Sequence, residues 1–287
     1  MNMRTPFIDI LRGIGLLMVI LAHVQPCGIV YELRTFDVVL MVFVSGLTFS
    51  MKPDFHYWQY LKKRTSRLII PTYIFLSVYF LLSWVFTGCR EPLSKMLLSY
   101  TLIGGIGYVW IIRIFLLIMI AAPILNILTN SLSLAKFFVV LITLLIASDS
   151  LLAISSHTPF AVQRFLEIIM IPILGYSVPY CVALRLKQTG NKREIVMVLA
   201  IVLILSGLYF YLHGDSLLIN DYKTPPRTLY LAYGMFVSIL LYYIVKHFTE
   251  RLSRILLGGG KWLGQNTIWI YFWHIPFISI VNSNIPY

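Results

Sequence analysis

Three ionisable side chains interrupt the first apolar run of the chain. Residues 7–25 read Phe-Ile-Asp-Ile-Leu-Arg-Gly-Ile-Gly-Leu-Leu-Met-Val-Ile-Leu-Ala-His-Val-Gln and contain Asp9, Arg12 and His23. The run is long enough to span a bilayer as a helix. Charge at that depth costs kilocalories, so such residues mark a functional site by default. Arg12 and His23 are eleven residues apart, about three turns at roughly 3.6 residues per turn, which sets both on one face about 16 Å apart along the axis. Asp9 falls near the same stripe, within reach of Arg12 at i, i+3. An imidazole with an ordinary pKa of about 6.5 can take a proton at neutral pH. His23 is therefore a candidate general base, or a nucleophile that carries a group covalently. Arg12 can orient an electron-rich group or stabilise charge developing on an oxygen in a dry site.

Three further constellations stand out. Arg64-Thr-Ser-Arg67 places two guanidinium groups on one helix face just ahead of Leu-Ile-Ile-Pro71. Paired guanidinium forks suit phosphate or pyrophosphate, and the same pair suits a plain anchor to lipid headgroups; spacing alone favours the anchor. His274 lies deep in the last apolar run, two residues before Pro276, which frees a carbonyl and bends a helix. It can line a site or be a neutral core histidine. Tyr108-Val-Trp110 with Arg113 opens another run. The tryptophan suits an interfacial aromatic belt, and Arg113 needs a partner that the sequence does not name. Gly13, Gly15 and Gly46 are expected to be close-packing positions.

The elements that must position these residues are helical and membrane-bound. Of 287 residues, 59% are hydrophobic and 12% charged, about half the charged share of soluble domains, and mean hydropathy is +0.84. The solvent for this much apolar surface is lipid. Runs long enough to span fall at about 7–25, 35–51, 68–87, 108–128, 134–153, 164–185, 195–212, 228–246 and 262–282. A shorter stretch, 93–106, ends in a glycine-rich segment. The basic clusters 52–67, 185–193 and 246–261 all fall in the cytoplasm only if the N-terminus is inside and 93–106 does not fully cross. The expectation is an all-α polytopic membrane bundle forming one domain over 1–287, with nine full spans plus a short tenth re-entrant or surface helix.

The net charge of +12 is accounted for by those cytoplasmic loops, so no nucleic-acid partner is expected. Three cysteines, Cys27, Cys89 and Cys181, form no Cys-x-x-Cys, and no metal site is expected. The longest outer loop, 213–227, carries His213, Asp215, Asp221, Lys223 and Arg227.

Taken in order, the motifs resemble those of the acyltransferase family 3 membrane proteins, bacterial integral-membrane O-acyltransferases that act on polysaccharides and other envelope glycans. Ile8-Asp9-Ile-Leu-Arg12-Gly13 followed by His23 is similar to the family's opening motif. Val42-Phe43-Val44-Ser45-Gly46 resembles its second-helix pattern, and Arg64-Thr-Ser-Arg67-Leu-Ile-Ile-Pro71 its Arg-x-x-Arg motif. Trp110 with Pro123, and Leu263-Gly264-Gln265-Asn266-Thr267 through Tyr271 and His274, are similar to the later helices. The resemblance implies transfer of an acyl group, usually acetyl, from acyl-CoA to a hydroxyl of a glycan or lipid-linked sugar. It implies a bacterial cytoplasmic (inner) membrane, with acetyl-CoA as donor substrate and no permanently bound cofactor. His23, Arg12 and Asp9 would form the catalytic group and Arg64 and Arg67 the donor site, with His274, Trp110 and Tyr271 on the acceptor side. Many relatives carry a His before the Trp of the fourth span and a Glu five residues after it; here those positions are Tyr108 and Phe115. No fused esterase-like module is expected. The rival reading is a transporter or flippase for a lipid-linked sugar or anion, since intramembrane Arg and His also mark translocation paths; no internal twofold repeat supports it.

Overall fold

The computed structural model describes residues 5–24, 26–49, 56–88, 90–189, 218–249, 251 and 254–283, with short pieces of 197–212. These residues form helices and connections, with no strand among them. In chain order the helices are α1 (Pro6–His23), α2 (Gly28–Leu33) with a 3-10 turn (Arg34–Phe36), α3 (Asp37–Phe49), α4 (Tyr57–Thr87), α5 (Leu93–Tyr100) and α6 (Trp110–Ser131). Then follow α7 (Leu134–Ser155), α8 (Phe160–Phe165) running through a π turn (Leu166–Met170) into α9 (Ile171–Thr189), α10 (Thr228–Phe248), α11 (Arg254–Gln265) and α12 (Thr267–Ser283).

Among the described residues, six helical stretches are long and apolar enough to cross a membrane: 6–23, 57–86, 107–131, 134–155, 160–187 and 228–248. The expected count of nine is not reached by that measure. The helix α3, with 13 residues, and the apolar part of α12, Thr267–Ile278, fall below full-span length. The run 195–212 lies largely outside the described residues. The helix α5 has eight residues, about 12 Å at 1.5 Å per residue, so 93–106 does not cross. The run expected to start near 262 breaks at Asn266: α11 ends at Gln265 and α12 begins at Thr267. Large apolar side chains on α4, α6 and α7, among them Phe86, Ile124, Ile127 and Val139, point outward, as a lipid-facing surface requires.

Helix α3 is the centre of the bundle. Val38, Val39, Leu40, Val42, Phe43, Val44 and Leu47 are fully buried, and α1, α6, α9 and α10 surround them. Small residues allow this approach. A Cβ on Gly46 would come within 2.7 Å of the Tyr180 carbonyl oxygen of α9, and one on Gly15 within 2.9 Å of Met41. The expected packing roles of both are thus visible, and Gly13 likewise lies against Leu263.

Beyond α5 the chain turns through Leu102 and Gly105, both at positive φ. A Cβ on Gly105 would overlap Ser99, whose hydroxyl accepts the Ile106 N–H. Arg113 finds its partners here: Nη1 donates to the Leu102 and Ile103 carbonyls at 2.6 and 3.0 Å. A guanidinium thus ties down the turn that sets Tyr108 and Trp110 in place.

The tightest helix contact is that of α11 on α1, where a Cβ on Gly264 would overlap the Asp9 carbonyl. Gly264→Ala should lower the melting temperature in detergent by the equivalent of about 1–3 kcal/mol, the usual cost of overpacking. Gly258→Ala, on the same helix with nothing within 4 Å, should be neutral or stabilising by up to about 1 kcal/mol. Equal melting of the two variants would count against this contact.

Candidate active site

Arg12 is fixed from two sides. Its Nη1 donates to Asp9 Oδ1 at 2.9 Å and its Nη2 to Thr48 Oγ1 at 2.7 Å, and the Thr48 hydroxyl in turn donates to the Val44 carbonyl of its own helix at 2.7 Å. Asp9 is buried, and its Oδ2 makes no hydrogen bond. The i, i+3 pairing expected of Asp9 and Arg12 is present, and α3 supplies the third member.

A cavity of about 170 Å³ opens beside Arg12. Arg64, Arg67 and Tyr60 of α4 line one part of it, with Arg64 5.8 Å from the Tyr60 ring centroid. Val19, Val38, Ile112, Phe115 and Met119 give the rest an apolar wall, and Thr267 and Tyr271 close it from α12. The two arginines before α4's apolar stretch and the arginine of α1 therefore share one hollow. Phe115, the position where many relatives carry an acid, is part of its wall.

His23 does not line this cavity. Its Nδ1 lies 3.0 Å from Nε2 of His274, with ring centroids 5.0 Å apart. Tyr108 packs edge-on against the other side of His23 at 5.0 Å. Tyr271 stands between the two regions. It lines the cavity, its ring lies 5.6 Å from that of His274, and its hydroxyl donates to the Tyr108 carbonyl. One face of α12 thus carries Thr267 and Tyr271 at the cavity and His274 beside His23. Arg12 and His23 share a helix face, but a tyrosine separates their surroundings.

At the His23 end of α1 lies a buried charge cluster that the sequence did not single out. Asp37, at the start of α3, accepts Lys223 Nζ on Oδ1 and Oδ2 at 2.8 and 2.9 Å, Arg34 Nη1 at 3.0 Å and the Val38 N–H at 2.7 Å. Arg34 lies 4.0 Å over the Tyr31 ring and reaches Asn220 Oδ1 at 3.5 Å. Arg34, Asp37 and Lys223 are all buried, and all three act electrostatically on His23. Trp110 belongs to this end, its ring 5.9 Å from Lys223 Nζ. Burial pulls the Lys223 ammonium below its ordinary value, and the Asp37 carboxylate opposes that shift. The signal that could have found Asp37 was available: an acid inside the run 35–51, subject to the same rule that singled out Asp9. Its partner Lys223, 186 residues away, carries no such signal.

Asp149 caps the start of α10, accepting the Thr228 N–H and, at 2.6 Å, the Thr228 hydroxyl. Cys27 and Cys181 are free thiols, and Cys89, His213 and Asp215 lie outside the described residues. No group of three His, Cys, Asp or Glu side chains among the described residues could hold a metal ion.

The chain is thus a multi-pass bundle of apolar helices with three arginines at one cavity and a histidine pair beside it. The family model for the acyltransferase domain of acyltransferase family 3 matches residues 5–286, essentially the whole chain. The chain belongs to that family, and is an acyltransferase of the membrane-embedded kind. No curated protein and no solved structure matches it.

Removing one partner of a buried ion pair costs about 3–5 kcal/mol, chiefly by stranding the other charge. Lys223→Met should therefore lower thermal stability in detergent strongly, and Asp37→Asn likewise. The double variant should lose clearly less than the sum of the two, because Lys223 is no longer there to be stranded when Asp37 goes, while Arg34 loses its carboxylate in both Asp37 variants. Strict additivity in that cycle would mean the two side chains are not coupled.

Proposed function

We propose that the protein transfers an acyl group, acetyl in the simplest case, from acyl-CoA to a hydroxyl of an envelope or exported polysaccharide or its lipid-linked precursor. The reading places it in a bacterial cytoplasmic membrane with its N-terminus inside. The observation that carries it is the cavity running past Arg64, Arg67 and Arg12 to Tyr271, with His23 and His274 immediately beyond. At about 170 Å³ it is smaller than the roughly 300 Å³ or more typical of drug-sized ligands. It suits a slender thioester arm and leaves a nucleotide at the mouth, where Arg64 and Arg67 suit phosphate groups.

The chemistry follows from the groups at each end. His23 takes the proton of the acceptor hydroxyl as its oxygen bonds to the thioester carbonyl carbon. The carbon–sulfur bond breaks, and the departing thiolate recovers the proton from the imidazolium. Arg12, held by Asp9 and Thr48, faces the donor's path and stabilises charge developing on the carbonyl oxygen. Trp110, beside Lys223 at the far end, offers an aromatic face to the acceptor sugar.

In purified protein supplied with acetyl-CoA and acceptor glycan, His23→Ala should lower the turnover rate by roughly 10²–10⁴-fold, the usual contribution of a general base. Near-normal activity in a well-folded variant would reject the assignment. Arg64→Ala and Arg67→Ala, each alone, should raise the apparent KM for acetyl-CoA about tenfold to a hundredfold, because a charged hydrogen bond contributes about 1.5–3 kcal/mol. An unchanged KM would return the pair to membrane anchoring. The decisive comparison is the acyl content of envelope polysaccharide with and without the protein. Glycan movement without thioester consumption would instead support a transporter.

A further inference from the structure

The two rings of the histidine pair together determine where one proton sits. His23 Nδ1 and His274 Nε2 are 3.0 Å apart, so one nitrogen carries the hydrogen and the other presents its lone pair. The other nitrogen of His274 settles which. Its Nδ1 is buried and makes no hydrogen bond, and the backbone of Ile270 and Tyr271, three and four residues earlier on the same helix, acts on the ring. A helix offers a side chain one turn on its carbonyl oxygens, its N–H groups being already bonded, so a hydrogen on this nitrogen is the arrangement its surroundings favour. A neutral imidazole has a single N–H, which leaves Nε2 of His274 as acceptor and Nδ1 of His23 as donor.

We infer that His274 is a positioning residue that holds His23 as its Nδ1–H tautomer, so that His23 Nε2 is the nitrogen that takes the acceptor's proton; the catalytic half of this statement rests on the acyl-transfer reading above. Without such a partner an imidazole favours the opposite tautomer, with its hydrogen on Nε2 and no base on that side. His274 also serves the charged state. When Nε2 of His23 gains the hydroxyl proton, the Nδ1–H bond to His274 becomes charge-assisted and strengthens. A carboxylate plays this part in Ser-His-Asp triads. Here the buried carboxylate of this end, Asp37, is already engaged by Lys223, Arg34 and the Val38 N–H, and a second imidazole takes its place.

The test has one arm that does not depend on activity. In protein labelled with 15N-histidine in detergent micelles, long-range 1H–15N correlation spectra assign the His23 signals by their absence from His23→Gln. The wild-type His23 should appear as the Nδ1–H tautomer and should revert to Nε2–H in His274→Phe. A wild-type His23 found with its hydrogen on Nε2 overturns the inference whatever the enzyme does. In the kinetic arm, His274→Phe should lower kcat on the order of a hundredfold with the KM for acetyl-CoA and for acceptor little changed. His274→Gln, whose amide oxygen can accept the same hydrogen bond, should keep most of the activity. Equal loss in both variants, or an effect confined to the acceptor KM, overturns the positioning role. The expected tautomer in a protein that consumes no thioester would sink the acyl-transfer reading and leave the proton assignment standing.

Discussion

In hydrocarbon a charge or a polar ring has no water to fall back on. Insertion scales put an Arg, Lys or Asp at the bilayer centre at about 2.5–3.5 kcal/mol, so each such group must find its partner inside the protein. That constraint organises this bundle. Arg12 is satisfied by Asp9 of its own helix and Thr48 of α3. Arg34 and Lys223 converge on Asp37. His23 pairs with His274 across α1 and α12. Helix α3 supplies a partner at both ends, and its buried aliphatic side chains and close approach to α9 at Gly46 place those partners.

The result is an interior with two chemically different halves. The half around Arg64, Arg67 and Arg12 is cationic at its rim and apolar within, suited to a polyanionic molecule with a slim uncharged arm. The half around His23 holds one buried carboxylate, Asp37, engaged by two cations, Arg34 and Lys223. Tyr271, braced against the Tyr108 carbonyl, stands on the boundary.

The departures from the family pattern become intelligible in this arrangement. Phe115, where many relatives carry an acid, forms part of the apolar cavity wall, and Tyr108 packs edge-on against His23. The buried carboxylate near the histidine pair is Asp37, from a different helix and neutralised by two cations. A carboxylate that already accepts from Lys223, Arg34 and the Val38 N–H has its oxygens occupied, and the partner of His23 is an imidazole instead.

Composition and periodicity alone were enough to read an all-helical membrane protein, to single out Asp9, Arg12 and His23, and to pair Arg64 with Arg67, because hydropathy and helical spacing are local properties that a linear run displays. The same reasoning gave nine full spans where six helices among the described residues are long and apolar enough, and it ran α11 into α12, since helix ends depend on turns such as the one at Asn266 that an apolar run does not reveal. Only the tertiary structure decided that His274 meets His23, that Thr48 completes the hold on Arg12, that Tyr271 divides the interior, and that Lys223 leaves an outer loop to neutralise Asp37. Those pairings join residues 36 to 251 positions apart. They are selected by which helices can approach closely and by the cost of leaving a buried charge alone, and neither is written in any single stretch of the chain.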